Sequence, residues 1–244
     1  MSYSSIAQQS WGGTVGNSGI SPYTSSATNT TGADLLICAA SWYTNNDGSA
    51  LGGTFTDSLS NTWTKLSTNL YGGGGGNQWN TQFSYAKNAT VGASQTFTWN
   101  CSNNAVQNFG GCVMMAFSGS DLTAPYDSTA GNPVNASTSA ITSLQAGSIT
   151  PTNNNELIVA ILAQNTASTS PTIDSGFSTP YLYNITGGTP LAMSYLIQTS
   201  AGAVNPTWSF TVVANNAANT AAFIAATGGG GLILPRLGLL GVGS

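Results

Sequence analysis

Asp34-Leu35-Leu36-Ile37-Cys38-Ala39-Ala40 and Glu156-Leu157-Ile158-Val159-Ala160-Ile161-Leu162 decide the fold. Each opens on a carboxylate and continues as an unbroken apolar run. Such runs are too short to cross a bilayer and read as buried strands. The segments downstream of the two runs repeat as well. Thr54-Phe55-Thr56-Asp57-Ser58 is answered by Pro171-Thr172-Ile173-Asp174-Ser175-Gly176, and Thr96-Phe97-Thr98-Trp99 by Thr207-Trp208-Ser209-Phe210. Phe83-Ser84-Tyr85-Ala86-Lys87-Asn88 is answered by Met193-Ser194-Tyr195-Leu196-Ile197-Gln198. Met115-Ala116-Phe117-Ser118-Gly119 is answered by Ala222-Phe223-Ile224-Ala225 and the residues up to Gly228. The offset falls steadily along the chain, from 122 (34 to 156) through 117 (57 to 174) to 110 (85 to 195), so the second copy has the shorter loops.

Working outward, helical signals are nearly absent. Charged residues make up only 4% of the 244, too few to solvate one face of an amphipathic helix. Short β-branched and aromatic runs recur between Gly, Asn and Pro instead. They predict strands at Leu35–Tyr43, Thr54–Thr56, Thr62–Leu66, Gln82–Ala86, Gln95–Trp99 and Cys112–Ser118. Further strands are predicted at Glu156–Ala163, Leu191–Gln198, Thr207–Val213 and Thr220–Ala226. Each half alone is near the size at which a core becomes marginal. The expectation is therefore an all-β, antiparallel, jelly-roll-like β-sandwich over residues 1–226. It is built from two sequence-similar halves (about 30–119 and 153–226) that share one sandwich rather than standing as two. Residues 119–152, rich in Ser, Thr, Ala and Pro, read as an ordered crossing with one edge strand.

Beyond Thr227 the chain is a Gly-rich apolar tail, 227–244, with Leu232, Ile233, Leu234, Leu237, Leu239 and Leu240 as its apolar side chains. An apolar tail left in water is an aggregation hazard. The four glycines Gly228–Gly231 uncouple it from the sandwich, which favours docking on a neighbouring subunit over packing on its own domain.

Composition excludes several classes. With three cations (Lys65, Lys87, Arg236) and a net charge of -4, the chain cannot neutralise a phosphate backbone, so nucleic-acid binding is excluded. There is no histidine, which removes the Ser-His-Asp and Cys-His systems and most zinc sites. The mean hydropathy of +0.05 comes from Ser, Thr, Asn and Gln rather than from ions, a surface cheap to bury in subunit contacts. The start, Met1-Ser2-Tyr3-Ser4-Ser5-Ile6, has neither a basic nor an apolar leader segment, so cytoplasmic synthesis without a signal peptide is expected. Of the three cysteines, Cys101 and Cys112 could bridge neighbouring strands, and the alternative is buried thiols including Cys38.

The acidic residues are Asp34, Asp47, Asp57, Asp121, Asp127, Glu156 and Asp174. Asp57-Ser58 and Asp174-Ser175-Gly176 occupy equivalent places in two β-rich halves, as an aspartic protease dyad would require. Leu59 stands where the first copy needs glycine, and Asx-type turn capping explains both aspartates. Nothing in the sequence marks a glycosidase pair. Asn45-Asn46-Asp47-Gly48 offers one carboxylate to calcium and reads better as a hairpin turn. No metal and no cofactor are expected. Aromatic faces that could stack on sugars are Trp42, Tyr43, Tyr71 and Trp79. Tyr71 and Trp79 flank the Gly72–Gly76 run, while Trp42 sits on a predicted strand and reads as core.

Thr56-Asp57-Ser58, Asn61-Thr62-Trp63, Tyr85-Ala86-Lys87-Asn88, Ala116-Phe117-Ser118-Gly119, Pro125-Tyr126-Asp127 and Glu156-Leu157 together resemble a diffuse group of β-sandwich proteins of bacteriophage genomes and environmental bacteria. The resemblance spans roughly residues 30–226 and carries no catalytic residue. It implies a virion surface, decoration or fibre protein, or an extracellular adhesion module. The expectation is therefore a non-enzymatic phage structural protein on the virion surface. Its partners would be copies of itself, as in a trimer, other virion proteins and a cell-surface glycan. The alternatives are an extracellular carbohydrate-binding module and a hydrolase using Asp57 and Asp174.

Overall fold

The computed structural model describes residues 2–13, 22–44, 52–72, 78–101, 107–164, 171–174, 176–184 and 190–227. Among these there is no helix, and fourteen strands make up the fold. In chain order they are β1 (Ser4–Gly12), β2 (Tyr23–Thr24), β3 (Leu35–Thr44), β4 (Gly53–Asp57), β5 (Thr64–Gly72), β6 (Gln78–Lys87) and β7 (Phe97–Cys101). They continue as β8 (Gln107–Ser118), β9 (Val134–Gln145), β10 (Glu156–Gln164), β11 (Thr172–Ile173), β12 (Tyr181–Tyr183), β13 (Leu191–Gln198) and β14 (Thr207–Phe223).

The chain is all-β and antiparallel. One five-stranded sheet runs β1-β8-β3-β6-β5 and a three-stranded sheet runs β2-β7-β4. The third sheet runs β11-β14-β10-β13-β12, with β9 also pairing with β14. Residues 216–219 of β14 lie between β10 and the start of β9, while 208 and 209 lie between β11 and the end of β9. The order β9-β14-β10-β13-β12 thus follows the scheme of β1-β8-β3-β6-β5, and the outer ends of β9, β14 and β11 follow that of β2, β7 and β4.

The two large sheets face each other. Leu35, Ile37, Ala39, Phe83, Val113, Met115 and Phe117 from one meet Leu157, Val159, Ile161, Leu191, Met193, Ala221 and Phe223 from the other, all fully buried. The alternate residues of the first sheet, Leu36, Cys38, Ala40, Trp42 and Met114, pack against Phe55, Phe97 and Trp99 of the three-stranded sheet. On the far side Ala160, Leu162 and Ala218 pack under Leu144, Trp208 and Phe210. Strands β3 and β10 are therefore covered on both faces, which is why they carry continuous apolar runs where a half-solvated strand would alternate.

The facing sheets form the expected all-β, antiparallel sandwich, with a further layer outside each. Each half builds its own large sheet and covers that sheet's outer face itself, because an apolar run buried on both sides needs a second layer. The halves also reach further than expected. β1, in a stretch where the sequence predicts no strand, pairs with β8, and Tyr3 beside it donates from Oη to the Ile224 carbonyl at 2.7 Å. The two strands expected at Thr207–Val213 and Thr220–Ala226 form one strand, β14, which passes from the outer layer to the central sheet through register shifts around Ala214. The crossing holds the edge strand β9 and runs beside the end of β14, with bridges at Ser120–Ala225 and Tyr126–Phe223.

Candidate functional site

Each carboxylate in the described residues accepts hydrogen bonds from its own chain. Asp34 takes the Gly119 N–H (2.8 Å) and the Ser120 N–H (3.1 Å), closing the turn after β8. Asp57 takes the Leu59 N–H (2.8 Å), the side-chain amides of Asn61 (3.1 Å) and Gln95 (3.0 Å), and the Trp63 indole N–H (2.7 Å). Asp121 takes the N–H groups of Ala124 and Thr123, which hold its carboxyl below the usual range. Asp174 takes the Thr207 N–H at 2.7 Å. The aspartates 57 and 174 are turn and strand-end acceptors. Asp57 ends β4 outside the first large sheet and Asp174 follows β11 outside the other, so both central sheets lie between them and they form no dyad.

The structure does bring together a pair that sequence reasoning missed, Asp127 and Glu156. The Thr152 N–H is shared between Asp127 Oδ2 (3.2 Å) and Glu156 Oε1 (3.1 Å). Asp127 also accepts from Thr129 and Ala130 and from the Thr152 hydroxyl. Burial pushes its carboxyl up, but these donors outweigh burial and hold it at about 2. Burial raises the Glu156 carboxyl, opposed by Asn153 and reinforced by the Asp127 charge. Glu156 Oε2 is buried with no hydrogen-bond partner. Both side chains are 2% exposed or less, so the pair knots the crossing to β10 and is closed to a substrate. The two residues lie 29 positions apart in sequence (127 to 156), and only the crossing's path along β14 joins them.

Among the described residues no group of three or more His, Cys, Asp or Glu could hold a metal ion, and no helix is long and apolar enough to cross a membrane. Asp47, with the Asn45–Gly48 turn, and the tail residues Leu232, Ile233, Leu234, Leu237, Leu239 and Leu240 lie outside the described residues. Trp42 is core, 1% exposed. Tyr71 and Trp79 are register partners across β5 and β6, and their side chains are outside the described set. Cys101 pairs with Gly53 in the three-stranded sheet, whereas Cys112 lies in the large sheet opposite Ala40, so their strands are not hydrogen-bonded neighbours. Cys38 is a buried free thiol, pushed well up by burial.

Among the described residues, a recess that combines a cation with an indole lies where the first half's sheets part, between edge strands β4 and β5. It is an open recess of about 190 Å³, lined by Gly53, Thr54, Phe55, Trp63, Lys65 and Ser84. Lys65 and Ser84 are register partners, so they share a face. Gln82 fixes the floor: its Oε1 accepts from the Gly53 N–H (3.3 Å), and its Nε2 donates to the Gly53 carbonyl and to Ser84 Oγ (3.1 Å each). No family model, no curated protein and no solved structure matches this chain.

Proposed function

We propose that this chain is a non-enzymatic structural protein of a bacteriophage virion, a capsid decoration or a tail or fibre surface protein, that works by homo-oligomeric assembly. The observation that carries the reading is where the charge goes. The carboxylates of the described residues accept from the chain's own N–H and O–H donors, and apart from Lys65 and Lys87 the polar complement there is uncharged, chiefly Ser, Thr, Asn and Gln. Such a surface can be covered by a second copy without stranding ions. Edge strands at the borders of the sheets add unpaired backbone groups that a neighbour can use. In this reading the tail 227–244 docks on an adjacent subunit, the protein sits at the virion surface, and its partners are its own copies and other virion proteins.

Native mass measurement of the full chain and of a chain ending at Thr227 tests this. A closed oligomer that falls apart on truncation is expected. A monomeric full chain whose tail is protease-sensitive and dispensable defeats the proposal.

A second reading, an extracellular glycan-binding adhesion module, is favoured by the register pairing of Tyr71 with Trp79 beside the Gly-rich run. Loss of glycan-array signal in Tyr71→Ala or Trp79→Ala is expected on that reading. Absence of any signal in the unaltered chain counts against it.

A further inference from the structure

Lys65 is an exposed cation that lines the recess. Its ammonium is depressed below the usual lysine value by burial alone, and among the described residues no carboxylate pairs with it. A side chain at position 52 would run into its Nζ and into Gln82 Oε1. Beside it the Trp63 ring is held at a fixed angle. Its Nε1 is committed to Asp57, and its ring packs on Phe55 (centroids 5.7 Å apart) and edge-on to Phe97 (6.3 Å). The half-buried indole therefore cannot turn to suit a neighbour, and its outer part is an immobile apolar edge at the mouth of the recess. Ser84 Oγ already accepts from Gln82, which leaves its O–H to donate.

A fixed indole, an unpaired ammonium and a spare hydroxyl donor within one recess suit a ligand with a C–H-rich ring, an anionic group and acceptor oxygens. We propose that the recess between β4 and β5 binds a carboxylated pyranose, the acidic sugar unit of a polysaccharide. Trp63 packs on the ring, Lys65 pairs with the carboxylate, and Ser84 donates to a ring hydroxyl or the carboxylate. The inference stands apart from the assembly reading and does not involve Tyr71 or Trp79.

The test is titration calorimetry of the full chain with trigalacturonate and with sialyllactose, each alongside its carboxyl methyl ester. A dissociation constant of about 1 mM or tighter is expected for at least one free acid, weakened about tenfold or more in its ester. The same loss is expected in Lys65→Gln, with recovery in Lys65→Arg, while the thermal midpoint of both variants stays that of the parent. Trp63→Phe keeps an aromatic ring but shortens the platform, and is expected to weaken acid and ester alike. Equal affinity for acid and ester, unchanged affinity in Lys65→Gln, or no binding of either free acid overturns the proposal.

Discussion

The indole Nε1 of Trp63 donates to Asp57 Oδ2 at 2.7 Å, across the turn that joins β4 to β5. With Leu59, Asn61 and Gln95 completing the set, one carboxylate gathers a turn, an aromatic side chain and the segment that leads into β7. The Thr56-Asp57-Ser58 and Asn61-Thr62-Trp63 signature is thus a folding device, with the aspartate as its hub.

Replacing Asp57 by Ala strands these donors and is expected to destabilise the chain by about 2–3 kcal/mol. Asp57→Asn, which keeps one acceptor oxygen, should lose less. Urea midpoints of the two variants measure the difference.

The Asp127–Glu156 pair predicts a two-sided pH profile. Asp127, held at about 2 when folded, supports the fold above the ordinary unfolded carboxylate value near 4, and that support is lost as pH falls through about 2. Glu156 acts oppositely. Its raised carboxyl makes the folded chain hold a proton the unfolded chain has released, so stability falls as pH rises from the ordinary glutamate value toward the raised one. Unfolding midpoints should climb from pH 2 to about 4 and then decline. In Glu156→Gln the decline should vanish, leaving the variant at least as stable as the parent at neutral pH. A parallel profile for variant and parent would refute the assignment.

Phe223 lies fully buried between the large sheets, its ring 5.5 Å from Tyr85 of the first half and 6.1 Å from Tyr126 of the crossing. Phe223→Ala should cost about 3–5 kcal/mol. Because the core is shared, fluorescence and near-ultraviolet circular dichroism should report one coincident transition, still single in the variant. Two separated transitions in the parent would show halves that unfold independently.

Cys38, wholly buried and with its thiol pushed up, should resist iodoacetamide in the native protein and react fully in denaturant. Mass spectrometry of the peptide carrying Cys38 reads this directly. Rapid native labelling would mean that β3 is not the interior strand described.

The strands that carry the core were legible because their composition is decisive. Leu35–Ala40 and Glu156–Ala163 can be little else than buried strands, and the structure places both at the centre of their sheets. Turn capping by Asp57 was legible too, since an Asx residue at a strand end has few other uses. β1 was not, because Ser4–Gly12 carries only Ile6, Ala7 and Trp11 as apolar residues, and an edge strand needs little more. Nor was the continuity of β14, since Ala214-Asn215-Asn216 reads as a turn and becomes strand only through pairing with β9 and β10. The recess at Lys65 was hidden for a similar reason. Trp63 and Lys65 are close in sequence, but Gly53 and Ser84 lie elsewhere on the chain, and only the register of β5 on β6 and the reach of Gln82 to Gly53 bring them together.

In the face-to-face arrangement of the large sheets, β1 lies over β12 and β5 over β9, so the two outer layers point in opposite directions. The molecule therefore has two ends of matching architecture and unlike chemistry. One presents an ammonium and an indole at its rim, and the other has Ile173 and Phe177 packed against the cluster that holds Trp208. A neighbour that approaches one end therefore meets a different chemistry from one that approaches the other.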